Sequence, residues 1–344
     1  MATDPPVGKR LLTLVHISDL HLAVPTPSQG GAPPRFWRRS TVFDGLLGHT
    51  EDALEDLEAF FLRLGREKPR LVVTGDLTAC GNPAEFALAK QYLTSRIQLA
   101  GGRLTGLEVA DALEWTIPGN HDQWPGARVI YGRPTAGLKT LRPTPIAPKP
   151  IYLGKGRKLT ILGIDSDSDV GPFSEDREFA RGQFFPQLDA LRLAIPSCHR
   201  KEIRVLLVHH SSMHRGEVLS IKSYSNKGLW TFIEQRGVSV MLTGHVHVAA
   251  RSVTDVTHKD KTWPVLEARC GTTCQTDEVP PGWAAASKTP ISRDRFPANS
   301  VLLHRLYDTG KAIEWRAHTV PRTDGGFLER NAIPLCDPVV VWPR

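Results

Sequence analysis

Five short polar clusters in this 344-residue chain each follow an apolar run: Asp19-Leu20-His21, Gly75-Asp76, Gly119-Asn120-His121-Asp122, His209-His210 and Gly244-His245-Val246-His247. Their side chains supply carboxylates, imidazoles and one amide oxygen, with no thiolate. That donor set suits Mn, Fe, Co, Ni or Zn better than copper(I) or an iron–sulfur cluster. Seven candidate ligands result: Asp19, His21, Asp76, Asn120, one of the pair His209 and His210, His245, and His247. Two cations about 3.5–4 Å apart can turn a bound water into hydroxide and clamp phosphoryl oxygens during in-line attack. The expected chemistry is hydrolysis of a phosphoester by a metal-bound hydroxide.

The spacings refine this. In extended chain, residues i and i+2 point to the same side, so Asp19 and His21 can grip one ion together. His245 and His247 have the same spacing and can share an ion or be split between two across a turn. Asp76 is the natural carboxylate to bridge a pair. The leaving oxygen needs a proton or charge stabilisation. His121, directly after Asn120, is the expected catalytic group and substrate contact, with Asp122 orienting that imidazole or raising its pKa. Taken singly, Gly75-Asp76 reads as a turn and Asn120-His121-Asp122 as a cap. Their joint occurrence, in order and after apolar runs, is what reads as a site.

Other polar residues read as structural. His16 lies inside a strand and is expected to be a satisfied core histidine. Asp165-Ser166-Asp167-Ser168-Asp169 lacks the Gly and distal Glu of a calcium-binding loop and reads as a strand end and turn. Cys270 and Cys274 have no second ligand pair for zinc, and five scattered cysteines make no disulfide framework. Trp37 with Arg35, Arg38 and Arg39, and His214 with Arg215, read as loop residues.

The elements that must position the clusters alternate. Apolar runs at Leu11 to Ile17, Leu71 to Thr74, Trp115 to Ile117, Lys158 to Ile164, Val205 to Val208 and Val238 to Thr243 read as buried strands. Leu54, Leu57, Phe61 and Leu64 recur at helical spacing, predicting a helix over 50–67 with an acidic first turn. Asn82-Pro83 opens a second helix, with Phe86, Leu93 and Ile97 on its apolar face. Gly182 to Ile195 and Leu229 to Gln235 read as two more. After residue 250 the pattern turns to strands: Trp263 to Arg269, Val301 to Tyr307 and Ile313 to Val320, the last two joined by a hairpin turn at Asp308-Thr309-Gly310-Lys311. Residues 24–40, 124–150 and 275–299 read as loops. Residues 10–320 are expected to form one catalytic domain, followed by a wrapping or poorly packed tail over 321–344.

Composition sets outer limits. Forty per cent apolar residues suffice for a sizeable core, and 23% charged residues are ordinary for a water-facing protein. The net charge of +7 favours anionic partners. No run of 18 apolar residues predicts a membrane span, and the first ten residues lack the apolar stretch of a signal peptide. A reducing, cytoplasmic setting is expected, with a small phosphoester as partner and no membrane.

The order D-x-H, G-D, G-N-H-D, an apolar strand ending in H-H, and G-H-x-H resembles the calcineurin-like metallophosphoesterase superfamily. The resemblance implies an α/β fold, a four-layer αββα sandwich of two mixed β-sheets flanked by helices, with a di-metal site at the sheet edges. It also implies the assignment. Asp19, His21 and His247 would bind one metal and Asn120, His209 and His245 the other, with Asp76 bridging. His209 is then the ligand of the histidine pair, and His210 an outer, substrate or surface imidazole. Gly163-Ile164-Asp165-Ser166, Arg181-Gly182-Gln183 and Val208-His209-His210 are similar to the bacterial cyclic-nucleotide phosphodiesterase group, although Ser211-Ser212 stands where that group has Pro. A phosphodiesterase, with cyclic nucleotides among its substrates, is the leading expectation. A nuclease of the same superfamily is the second, although no extended basic stripe is visible. A scaffold that kept the fold without chemistry is the third, and the intact ligands oppose it.

Overall fold

The computed structural model describes residues 8–23, 49–79, 81, 83–123, 141, 143–170, 180–196, 201–216, 218–274 and 299–342. Strand β1 (Lys9–Ile17) is followed by helix α1 (Glu51–Arg63), β2 (Arg70–Thr74), α2 (Pro83–Thr94), a small β3 (Ile97–Gln98) and β4 (Leu104–Thr105) ribbon, β5 (Thr116–Ile117) and a single turn α3 (Asn120–Gln123). Then come β6 (Ile146–Gly154), β7 (Arg157–Gly163), α4 (Phe185–Ala194), β8 (Glu202–Leu207), α5 (Ser223–Arg236) and β9 (Val238–Thr243). The chain ends in β10 (Ala250–His258), β11 (Lys261–Arg269), β12 (Ser300–Asp308), β13 (Ile313–Thr323), β14 (Gly326–Phe327), β15 (Ile333–Pro334) and β16 (Val339–Trp342).

Two mixed sheets result. One runs β14-β13-β12-β1-β2-β5, with β15 and β16 also paired to β13; the other runs β10-β11-β9-β8-β7-β6. In the first, β1, β2 and β5 are parallel neighbours. In the second, β7, β8, β9 and β11 are parallel. Period-two alternation along the buried strands feeds a different core from each face. Leu14, Val72, Val205, Leu207, Val240, Leu242, Leu302 and Trp315 fill the space between the sheets. Val15, Ile17, Leu71 and Val73 face Leu54, Leu57 and Phe61 of α1 and Phe86 and Leu93 of α2. Leu206, Val208 and Met241 face Leu188 and Leu191 of α4 and Leu229, Phe232 and Ile233 of α5. The layers are therefore helix, sheet, sheet, helix, the arrangement that the resemblance implies.

Several element boundaries differ from the sequence reading. Ile97 is not on the face of α2; the helix stops at Thr94, and Ile97 opens the β3–β4 ribbon instead. Of the stretch 124–150, residues 124–140 and 142 lie outside the described residues, and β6, which begins at Ile146, is a strand paired with β7 rather than loop. Polar-rich β10, which has no buried face to produce an apolar pattern, pairs along its whole length with β11. Residues beyond 321 wrap back onto β13, and Val339 and Val341 enter the core between the sheets. Asn82, the loops at 24–40, and nearly all of 275–299 lie outside the described residues. Among the described residues no helix is long and apolar enough to cross a membrane.

Candidate metal centre

Every cluster picked out by its residues stands just past the carboxyl end of a parallel strand. β1, β2 and β5 deliver Asp19/His21, Asp76 and Asn120 from one sheet; β8 and β9 deliver His209 and His245/His247 from the other. This edge is where open α/β sheets collect ligands. Backbone bonds lock the turns together: Asp19 N–H donates to Gly75 O at 3.0 Å, His21 N–H to Asp76 O at 3.0 Å, and Gly244 N–H to His209 O at 2.9 Å. Side chains add more. Thr272 Oγ1 donates to Asp19 O at 2.9 Å, His245 N–H to Asp19 Oδ2 at 3.1 Å, and His121 N–H to Asp76 Oδ1 at 2.8 Å.

The backbone is strained where the ligands sit. Asp19, His21, Asp76, His245 and His247 all have positive φ, between 47° and 75°. Non-glycine residues rarely adopt this region, and strain of about 1–3 kcal/mol per residue persists only where the surroundings impose it. Crowding makes the same point. A Cβ on Gly119 would lie 2.2 Å from Asp76 Oδ1, and one on Gly75, itself at φ 96°, would lie 2.6 Å from His209 Nδ1. Glycine at these two positions lets three ligand turns touch.

Two groups of ligand atoms emerge. Asp19, His21, Asp76 and His247 each place one donor atom within 4.8 Å of the others, and so do Asp76, His209 and His245. Asp76 belongs to both. His247 Nε2 lies 3.3 Å from Asp19 Oδ1 and 3.2 Å from His21 Nε2. His209 Nε2 lies 3.2 Å from Asp76 Oδ2, 3.1 Å from Asn120 Oδ1 and 3.2 Å from His245 Nδ1. All seven residues are buried.

The donor set fits cations. His209 Nδ1 donates to Thr74 O at 2.6 Å, so in a neutral ring Nε2 is a lone pair. It then faces a carboxylate oxygen and an amide oxygen, which are also lone pairs. Acceptors that converge without donors repel, and a positive charge at their centre removes the conflict. Without a metal, a proton takes that role. Burial pushes His209 down, but Asp76 and then Asp19 outweigh it and drive the imidazole up to about 10. Burial likewise raises Asp76, and His209, His121 and His21 override it, leaving the carboxyl well below its usual range. The chain supplies negative charge and lone pairs enough for two ions that share Asp76.

The remaining predicted residues fall into place around this core. His121 is half-buried; its ring meets His21 edge-on at 4.9 Å, and its Nδ1 lies 2.9 Å from Ala79 O. Asp122 does not orient that ring. Its carboxylate accepts from the backbone of Leu77, Thr78 and Gly119 and from Thr78 Oγ1, pinning the turn that carries Asn120. A short helical turn points Asp122 away from its neighbour, and Ala79 O does the orienting. Burial, then Asp76, pushes Asp122 up to about 7. His210 stays out of both ligand groups. Its Nδ1 meets Ser166 Oγ at 2.7 Å and its Nε2 meets Ala180 O at 3.1 Å, while its ring lies 4.1 Å from that of His245. It is fully buried rather than a surface group. His16 Nε2 bonds Thr74 Oγ1 at 2.8 Å, a satisfied histidine as expected.

The sequence reading passed over the supports: Thr74, Thr272 and Glu267. Glu267 accepts from Ser211 Oγ at 2.7 Å, Ser212 N–H at 2.9 Å and Ser212 Oγ at 2.5 Å, holding the segment after His209-His210. A carboxylate in the apolar end of a buried strand was the available signal.

Residues 12–249 match the calcineurin-like phosphoesterase family. No curated protein matches the chain. Among solved structures, the chain is similar to GAP50, the anchor in the inner membrane complex of Plasmodium, at 11% identity and a TM-score of 0.43, covering 95% of this chain and 89% of that one. It is also similar to a single mutant of Vps29 from Entamoeba histolytica, at 12% identity and a TM-score of 0.27, covering 96% and 99%. Chaetomium thermophilum Vps29 is similar at 10% identity and 0.28, covering 95% of each chain.

Proposed function

We propose, from the premise that this chain belongs to the calcineurin-like phosphoesterase family, that it is a metal-dependent hydrolase of phosphodiesters, cyclic nucleotides among them. One observation carries the reading: two buried ligand groups meet at a single shared carboxylate, Asp76. Asp19, His21 and His247 would hold one ion, and Asn120, His209 and His245 the other. A pair of divalent cations so held would lower the pKa of water and neutralise phosphoryl charge.

The chain's own residues do the rest. Thr74 O fixes the His209 ring so that Nε2 faces Asp76. Asp122 fixes the turn that presents Asn120 and His121. Ala79 O engages His121 Nδ1, which leaves Nε2 as the atom turned to substrate. In its protonated form that nitrogen donates to the leaving oxygen. His210, held by Ser166 and Ala180, packs on His245 and keeps that ring in place.

The test is a side-by-side assay of cyclic AMP, an aryl phosphodiester and single-stranded DNA, with metal analysis of the same preparation. The expected result is two metals per chain and diester hydrolysis that stops on chelation and returns with Mn²⁺. A preparation carrying both metals that turns over none of the three substrates overturns the proposal. Preference for single-stranded DNA would move the enzyme to the nucleases of the family.

A further inference from the structure

The outer edges of the two large sheets are not alike. One sheet ends in β5, two residues long, and in the short strands β14, β15 and β16 laid along β13. The other ends on one side in β6, whose pairing with β7 is broken by two shifts of register and whose sequence carries Pro148 and Pro150. Short strands, prolines and bulges are the devices that stop an edge from pairing with another chain. The remaining edge, β10, has none of them. It pairs with β11 over 9 residues, Ala250 to His258, without a shift of register and without a proline or a lysine.

Hairpin geometry decides which backbone groups of β10 face outward. Lys259 and Asp260 join it to β11 at φ 46° and 63°, the left-handed pair of a two-residue type I′ turn. His258 and Lys261 then close the turn as a hydrogen-bonded pair, and bonded and unbonded pairs alternate from there. Val256, Thr254 and Ser252 direct their backbone groups to β11. Thr257, Asp255, Val253 and Arg251 turn theirs to the open side. Pro264, which has no N–H to donate, stands opposite Asp255 at one of the unbonded positions. Among the described residues no backbone hydrogen bond reaches these four from the outer side, and all four are exposed.

We propose that β10 pairs antiparallel with β10 of a second copy of this chain, about a two-fold axis through Val253. Registers that face outward-turned residues with one another are the ones that hydrogen-bond. Among them, centring on Val253 sets Arg251 of each copy opposite Asp255 of the other. Centring on Arg251 or on Asp255 sets like charges face to face, and centring on Ser252 or Thr254 pairs neither charge with its opposite. Residues directly opposite share a face of the sheet, and opposite charges so placed attract. Val253, 44% exposed, meets its own copy on the axis. Arg251 Nε donates to Leu335 O, which holds that side chain at the edge. The contact is self-complementary, as a two-fold dimer requires, and it joins two 6-stranded sheets into one.

The test is sedimentation of the full chain over a range of concentrations. A monomer–dimer equilibrium in the micromolar range is expected, since one strand pair makes a small interface. Val253→Pro removes the central outward N–H at a position where an edge strand accepts proline. It should abolish the dimer while melting temperature and circular dichroism stay at the wild-type level. Asp255→Arg and Arg251→Asp each set like charges opposite one another on both sides of the axis. Each should raise Kd by about tenfold or more. An equal mixture of these two variants restores both charge pairs, and it should form a heterodimer as tight as the wild-type dimer. A wild-type chain that stays monomeric at its highest soluble concentration overturns the assignment. So does a dimer that survives Val253→Pro, or a mixture of the charge variants that associates no better than either alone.

Discussion

Two sets of buried histidines lie a few residues apart in this molecule and obey opposite rules. In the first sheet, Trp315 Nε1 donates to His304 Nδ1 at 3.0 Å, His304 Nε2 lies 3.5 Å from His16 Nδ1, and His16 Nε2 meets Thr74 Oγ1 at 2.8 Å. Indole can only donate, so the direction propagates: each ring accepts at Nδ1 and donates at Nε2. Both imidazoles are neutral, held far below their usual range by burial. At the sheet edge, the rings of His21, His209, His245 and His247 instead turn nitrogens toward one another and toward the carboxylates of Asp19 and Asp76, three of the four from strained backbone. Burial alone therefore does not mark a ligand. What marks it is a convergence of carboxylates and ring nitrogens on one point.

Predictions can break or sharpen this contrast. The largest effect should come from Asp76→Asn, which removes the shared carboxylate. Turnover should fall by about a thousandfold, or about 4 kcal/mol of transition-state stabilisation, with the circular dichroism spectrum unchanged. Full activity would show that Asp76 does not join the two groups.

The His16–His304 chain should instead be felt in acid. Unfolded histidine titrates near 6.5, whereas folded His304 is held at about 3 by burial. The unfolded state then binds more protons in that window. Stability is complete above pH 6.5 and is lost as pH falls from 6.5 toward 3. Denaturant midpoints measured across that range should flatten in His304→Phe. An equally steep loss in the variant would assign the acid sensitivity elsewhere.

At neutral pH, His304→Phe strands the donor of Trp315 and one acceptor of His16. It should cost about 1–3 kcal/mol of stability while metal content stays at the wild-type level. Loss of metal in this variant would erase the distinction between the two sets.

The smallest effect should come from Thr272→Val, which deletes the hydroxyl that holds Asp19 O. Supports of this kind are worth about 10–100-fold in metal affinity. A competition titration with a chelating dye should show weakening near the lower end of that range. No change would mean that the backbone of the first loop is rigid without it.

Much of this was legible before any fold was seen. The clusters at Asp19, Asp76, Asn120, His209 and His245 follow apolar runs, and those runs are strands because β-branched and apolar residues pack on both faces of a buried sheet. α1 was readable because its apolar face repeats at 3.6 residues. β10 was not, because its residues face solvent too often to alternate. That Asp122 braces the turn instead of orienting His121 was not legible, because neighbours in sequence need not face one another once the chain turns into a helix.

The residue types alone determined the chemistry: only imidazoles, carboxylates and an amide stand in these positions, and their donor atoms decide which ions can bind. Partition and support were decided in three dimensions. That Asp76 touches both groups and that Thr74 and Thr272 brace the ligand loops are distances between strands far apart in the chain. Such distances arise only when two sheets pack face to face and bring their ends to one edge.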